Sequence, residues 1–268
     1  MRKLIYLILL TLLLVLSIRI YLDTTTLKVN YVTVMSNKLQ VNEDLNILQI
    51  SDLHNLDISN QFDKVAQLTP DIIVITGDLI DRKTTDLTVI NALLEQLTAT
   101  FSVPVFFVSG NHEWENPLFA ALKLQLEEYG VVILDNSSTV LSINNITFNL
   151  AGVADASTGN DRLTEALTGL DLTLLTILLS HSPILMDQEE KMVDLILSGH
   201  THGGQVRLPL IGGLIAPDQG LFPEYQKDLY TLASGTVLYI DSGLGTSVLP
   251  IRLFNQSQIS LIEIKAHD

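Results

Sequence analysis

Five of the six histidines in this chain fall in short polar clusters, two of them beside a carboxylate or an amide. The clusters are Asp52-Leu53-His54, Asp78 with Asp81, Asn111-His112, His181, and His200-Thr201-His202. Carboxylate, imidazole and amide oxygen, with no sulfur among them, suit Mn, Fe, Zn or similar divalent ions. Asp-x-His and His-x-His put two side chains on one side of an extended segment, because strand periodicity is two. A carboxylate such as Asp78 can bridge two cations roughly 3.5–4 Å apart. Two ions held so would neutralise phosphoryl oxygens and orient in-line attack. They would also lower the pKa of a bridging water until hydroxide exists near neutral pH. A leaving alkoxide then needs a proton. His112 is the candidate donor, with Asp81 or Glu113 to orient it through its other ring nitrogen.

The elements that must position these groups are legible in the hydrophobic pattern. Continuous apolar runs at 45–50, 72–75 and 105–108 read as strands covered on both faces, and helical spacing follows each, at 61–68, 86–97 and from Asn116-Pro117 to about Tyr129. Strand, loop and helix, three times over, predict parallel strands in a layered α/β fold. The second half adds a hairpin turning at Asn144-Asn145, strands at 172–179 and 193–197, and strand-rich segments at 237–240 and 259–264. Every polar cluster stands just past the end of a buried strand, where ligands bind in α/β sheets. A single Asp in that position is ordinarily a turn residue or a helix cap. The recurrence at five strand ends carries the reading.

Composition narrows the field. The 268 residues suffice for one sizeable domain, cysteine is absent, and the net charge is −15. Disulfides and thiolate metal sites are thereby excluded, and no basic nucleic-acid footprint exists. Residues 4–16 are almost wholly Leu, Ile and Val, with weaker apolar character to Leu22. We read 1–22 as an uncleaved transmembrane anchor, 23–44 as a tether feeding an edge-type hairpin, and 45–268 as the catalytic domain. No A-x-A-like site follows the apolar run, which argues against a cleaved signal peptide. Arg2 and Lys3 ahead of it favour an N-terminus inside, a cell-membrane location and a domain outside the cytoplasm.

Taken in order, Asp52-Leu53-His54, Gly77-Asp78-Leu79-Ile80-Asp81, Gly110-Asn111-His112-Glu113, His181 and Gly199-His200-Thr201-His202 resemble the full motif set of the calcineurin-like metallophosphoesterases. Gly203-Gly204-Gln205, Gln219-Gly220-Leu221-Phe222-Pro223 and Gly243-Leu244-Gly245-Thr246-Ser247 resemble the bacterial, membrane-anchored YkuE/YaeI-like phosphodiesterase branch. The likeness runs from about residue 45 onward. It implies a four-layer α/β/β/α sandwich and two divalent metal ions. One ion would take Asp52, His54, Asp78 and His202, and the other Asp78, Asn111, His181 and His200. His112 would be the catalytic acid, paired with Asp81. The wider group includes enzymes acting on the pyrophosphate of a lipid-linked UDP-sugar, so the resemblance implies a phosphoester substrate, phosphodiester or pyrophosphate, that a lipid or glycan could carry. Arg82 follows Asp81 as in the protein phosphatase branch, where an arginine there contacts phosphate. At Ser257-Gln258 the branch usually has Pro-Glu.

Plainer roles fit other residues. Glu113 reads as a helix-start acid, Asp57 and Asp71 as solvated loop acids, and Asp241 and Ser242 as shaping the Gly243 turn. Gly203-Gly204 reads as close backbone passage rather than a phosphate cradle. Trp114 is either a substrate wall or a packed aromatic, and His267 is inert. Two other functions are open on this fold. One is a membrane-tethered, non-catalytic binding scaffold. The other is a metal-dependent amide hydrolase, against which the Gly-Asn-His-Glu motif argues.

Overall fold

A computed structural model describes residues 1–183, 192–246 and 249–267. Ser247, the last residue of the Gly243 motif, lies outside them. The chain opens with helix α1 (Arg2–Thr25), which is 24 residues long, has mean hydropathy 2.4 over its most apolar window and buries none of that window against the protein. It is a candidate membrane span. Its hydroxyls are satisfied within the helix, Thr11 donating to the Leu7 carbonyl and Ser17 to that of Leu13.

The strands then follow in order. They are β1 (Lys28–Ser36), β2 (Asp44–Ile50), β3 (Ile72–Thr76), β4 (Val105–Val108), β5 (Val132–Ile133), β6 (Ser137–Ile143), β7 (Ile146–Gly152), β8 (Leu175–Leu179) and β9 (Leu195–Ser198). After them come β10 (Arg207–Leu208), β11 (Gly212–Gly213), β12 (Ile215–Ala216), β13 (Gly220–Leu221), β14 (Asp228–Thr231), β15 (Val237–Ile240) and β16 (Gln258–Ala266). Helices α2 (Asp63–Ala66), α3 (Thr88–Thr100), α4 (Asn111–Glu115), α5 (Phe119–Glu128) and α6 (Leu163–Leu167) lie between them.

Two six-stranded sheets result, ordered β1-β16-β2-β3-β4-β5 and β14-β15-β9-β8-β7-β6. Strand alternation sorts the core into layers. Leu45, Ile47, Ile72 and Val74 of the first sheet meet Phe148, Ile177, Leu195 and Tyr239 of the second. The alternate residues Leu48, Ile50, Ile73 and Ile75 face Val65, Ile90, Leu94 and Leu122 of the helices. On the far side Leu178, Ile196 and Leu238 pack with Ala166 and Leu167 of α6. This is the α/β/β/α sandwich the sequence implied.

Three details differ from expectation. No hairpin joins β1 to β2. Instead β1 pairs in parallel with β16, which pairs antiparallel with β2. The alternation of β1 marks a half-buried strand, but a period of two carries no information about its partner. The expected helix at 61–68 shrinks to a 3-10 turn (Ser59–Gln61) and the four residues of α2, too short a segment for propensity to sustain more. Helix α5 begins at Phe119 rather than Asn116, because the Asn116 side chain accepts from the Leu118 amide and so closes a turn of its own. The Asn144-Asn145 hairpin forms as read, with φ of 50° and 67°.

Candidate metal centre

Strands β2, β3 and β4 run parallel, as do β8, β9 and β15. Their carboxyl ends therefore converge. Gln49, fully buried between the sheets, stitches them directly beneath that point. Its amide donates to Thr76 Oγ1 and to the Ser198 carbonyl, both at 2.9 Å. Two residues past the ends of β2, β3 and β9 the polar clusters begin, at Asp52, Asp78 and His200.

The backbone turns sharply there. Asp52, His54, Asp78, His200 and His202 all hold positive φ, between 48° and 67°. Left-handed backbone away from glycine costs energy and gathers where function requires it. Gly199 is demanded by crowding: a Cβ there would fall onto Ser51 Oγ and Asp52 Oδ2.

All seven expected metal-binding residues and both expected acid-base residues come together. Among the described residues three donor groups each gather within 4.8 Å: Asp52, His54 and His202; Asp78, His181 and His200; His54, Asp81 and His112. The oxygens of Asp78 are divided. Oδ1 accepts from the His112 amide at 2.9 Å, while Oδ2 lies 3.2 Å from His181 Nε2 and 3.6 Å from His54 Nε2. Asp52 Oδ1 faces His202 Nε2 at 3.5 Å and His54 Nε2 at 3.9 Å. Asn111 Oδ1 is buried without a hydrogen-bond partner beside the same pocket.

Tautomers follow from the neighbours. His181 Nδ1 lies 2.8 Å from the Thr76 carbonyl, which only accepts, so Nδ1 holds a proton. His200 Nε2 lies 2.7 Å from Asp218 Oδ2. The remaining nitrogens, His181 Nε2 and His200 Nδ1, then face each other at 3.1 Å, as do His54 Nε2 and His202 Nε2 at 3.2 Å. Nitrogens paired this way beside ionised carboxylates suit a cation between them.

The electrostatics agree. Burial works to raise Asp52 and Asp78, but nearby histidine charge outweighs it and both acids lie below their usual range. Burial lowers His54 and pushes His202 down to about 3, leaving neutral imidazoles with a lone pair to give. Burial also opposes protonation of His181, yet Asp78 and Asp52 prevail and raise it well above its usual value. There the proton occupies the spot that a cation would contest. The donor set, the lone amide oxygen of Asn111 and the converging nitrogens fit divalent metal.

The sequence pattern of the calcineurin-like phosphoesterases matches residues 45–204. The chain belongs to this family. Curated relatives match it over most of its length. The uncharacterized protein YpbG of Bacillus subtilis (strain 168) is 31% identical over 237 residues, covering 85% of this chain and 84% of its own. The uncharacterized metallophosphoesterase YkuE of the same organism is 33% identical over 230 residues, covering 82% of this chain and 79% of its own. A transmembrane protein with metallophosphoesterase domain from Bos taurus is 31% identical over 219 residues, 75% of this chain and 47% of that one.

Around the donors of this metallophosphoesterase stand residues whose parts the sequence left open. Asp81 Oδ2 is 3.3 Å from His112 Nδ1, which also accepts from the Arg82 amide at 3.1 Å. Arg82 Nη2 reaches His112 Nε2 at 3.1 Å, and Arg82 Nε pairs with Glu115 at 3.1 Å. Glu113 does not touch His112's ring nitrogens. It is fully buried and accepts from the amides of Asp78, Ile80 and Gly110, lashing the loop after β3 to that after β4. Burial, then the charge of Asp78, push its carboxyl up to about 8. Trp114 donates to Ser109 and packs edge-on against Phe119, as a structural aromatic. Gly204 passes against Gly213, where a Cβ would strike the Gly213 backbone. Asp71 accepts from the Asn46 amide and from Asn144, so it ties strands rather than merely facing solvent. Asp218 went unseen because it sits in an irregular loop that no periodicity marks.

Proposed function

We propose that this chain hydrolyses phosphoester bonds with two divalent ions. One would be held by Asp52, His54, Asp78 and His202, the other by Asp78, Asn111, His181 and His200. The division of labour within Asp78 carries the reading: one oxygen is tied to backbone, and the other is shared by histidines of both sets. When bound, such ions neutralise phosphoryl oxygens and make a water acidic enough to deprotonate near neutral pH.

The protein's own groups supply the rest. His112 is the acid for the departing oxygen. Its ring is held at Nδ1, which accepts from the Arg82 amide at 3.1 Å and lies 3.3 Å from the Asp81 carboxylate. Arg82 reaches the same point of the pocket from the side and gives a phosphate-binding guanidinium next to the acid. The opposite wall is apolar, built from Ile215, Ala216, Pro217 and Leu249. That wall, with α1 as a membrane anchor, favours a phosphodiester or pyrophosphate carried on a lipid or glycan. In the same reading residues 1–22 anchor, 23–44 connect and 45–268 catalyse. Arg2 and Lys3 favour an N-terminus on the cytoplasmic side of the cell membrane and a domain outside.

The test is the full chain in detergent with Mn²⁺, Fe²⁺ or Zn²⁺. It should release p-nitrophenol from bis-p-nitrophenyl phosphate or the monoester, and glycolipid pyrophosphates in a substrate panel should turn over faster. No turnover of any ester with any of the metals would sink the proposal.

A further inference from the structure

Between the 3-10 turn His202–Gly204 and β14 the chain leaves the sandwich and makes two short hairpins, β10–β11 and β12–β13. Large apolar side chains face outward there. Leu210 is fully exposed at 108%, Leu221 is 70% exposed and Phe222 64%, with Ile211 and Ile215 also exposed. Soluble surfaces seldom gather apolar side chains in this way. Leu210 and Phe222 moreover hold positive φ, 70° and 54°, conformations that bulky residues avoid. Strain is being spent to hold greasy side chains in the open.

Their position says what covers them. The Arg207 amide donates to the Leu253 carbonyl at 2.9 Å, and residues 208–211 border one concavity with Phe254. The Arg19 guanidinium of α1 stands 5.7 Å from the centre of the Phe254 ring. Arg19 is where the apolar run of α1 ends, the level at which an arginine snorkels to a membrane surface. The helix has no slack below that level. The Ser257 amide donates to the Asp23 carbonyl at 2.9 Å, the Arg252 amide to Thr24 Oγ1 at 2.9 Å, and Gln256 to Thr26 Oγ1 at 2.7 Å. Arg207 and Lys28 both act on the charge of Lys227 there, with Asp228 and Asp241 opposing them, on a chain of net charge −15. Cations beside apolar side chains suit anionic headgroups.

We infer that residues 207–222 form a membrane-seated lip, which holds the mouth of the metal centre against the lipid surface beside α1. The inference rests on reading α1 as a membrane span. Ile215 joins the two functions: it lines the pocket and pairs across its hairpin with Leu221. A phosphoester on a lipid headgroup would thus pass between residues 215–217 and the Arg82–His112 side of the pocket without leaving the bilayer.

The chain has no cysteine, so single-cysteine labelling is clean. Leu210→Cys and Leu221→Cys would carry an NBD fluorophore in the full chain, reconstituted into phosphatidylcholine–phosphatidylglycerol vesicles. Leu10→Cys in α1 reports the anchor, and Leu124→Cys, exposed on α5, reports the aqueous face. At positions 210 and 221, brominated lipids should quench strongly and aqueous iodide several-fold less than at position 124. If iodide quenches 210 and 221 as it does 124 while position 10 is lipid-quenched, the anchor stands and the lip is refuted. If position 10 fails to meet lipid, the anchor reading falls and takes the lip with it. Shielding from both quenchers that disappears on dilution into excess lipid would reveal a second copy as the cover and overturn the proposal. None of these readouts depends on phosphoesterase activity.

Discussion

The Asp218 carboxylate lies 2.7 Å from Nε2 of His200, on the side of the ring away from His181. The contact fixes which nitrogen of His200 faces the metal centre. Asp218→Ala removes that restraint. Mn²⁺ affinity should fall by about 10–100-fold, the usual effect of losing such a partner. Asp218→Asn, whose amide oxygen still accepts from the ring, should recover much of it. Metal titration by calorimetry gives both numbers, and an unchanged alanine variant would show that the contact is idle.

Asp78→Asn should empty the site of both ions. His54→Ala, which belongs to only one of the two proposed ion sets, should leave the other ion bound. Elemental analysis after desalting distinguishes them. Equal metal content in the two variants would remove the bridging role of Asp78.

His112→Asn should lower kcat by about 10²- to 10⁴-fold, the range of general acid catalysis, with metal content unchanged. Arg82→Ala should act mainly on KM. A His112 variant with full turnover would move the acid elsewhere.

Asp241, which is not itself among the metal donors, supplies a pH signature. Burial pushes its carboxyl up to about 6, against hydrogen bonds from Ser260, Gly243 and Gln258, whereas its ordinary value is 3.8. The folded state thus favours the protonated acid. Its contribution is whole below about pH 4 and is lost as pH rises through 6, a change of about 3 kcal/mol. In chelator, Asp241→Asn should gain thermal stability relative to the parent chain between pH 4 and 7. A flat difference in Tm across that range would refute the assignment.

What the sequence made legible was local. Runs such as 72–75 and 105–108 announce buried strands because covered strands have no polar face to show. The clusters at 52–54, 78–81, 111–112 and 200–202 follow directly from where those runs stop. Partnership across space was not legible. Gln49 reads as an ordinary strand residue, yet it binds one sheet to the other under the site. Glu113 reads as a helix acid, yet two of its three amide partners, Asp78 and Ile80, lie in a distant loop. Asp218 carries no periodic signal at all. Each depends on long-range packing that no window of residues contains.

The parallel pairing of β1 with β16 sets an order of events during synthesis. The segment that follows α1 is made early, and the strand that must lie between β1 and β2 is made far later. Until it arrives, both neighbours present open hydrogen-bonding edges. Closing the first sheet is therefore a late, long-range step, slow by its topology. Loss of β16 would leave the first sheet unfinished, with β1 cut off from β2.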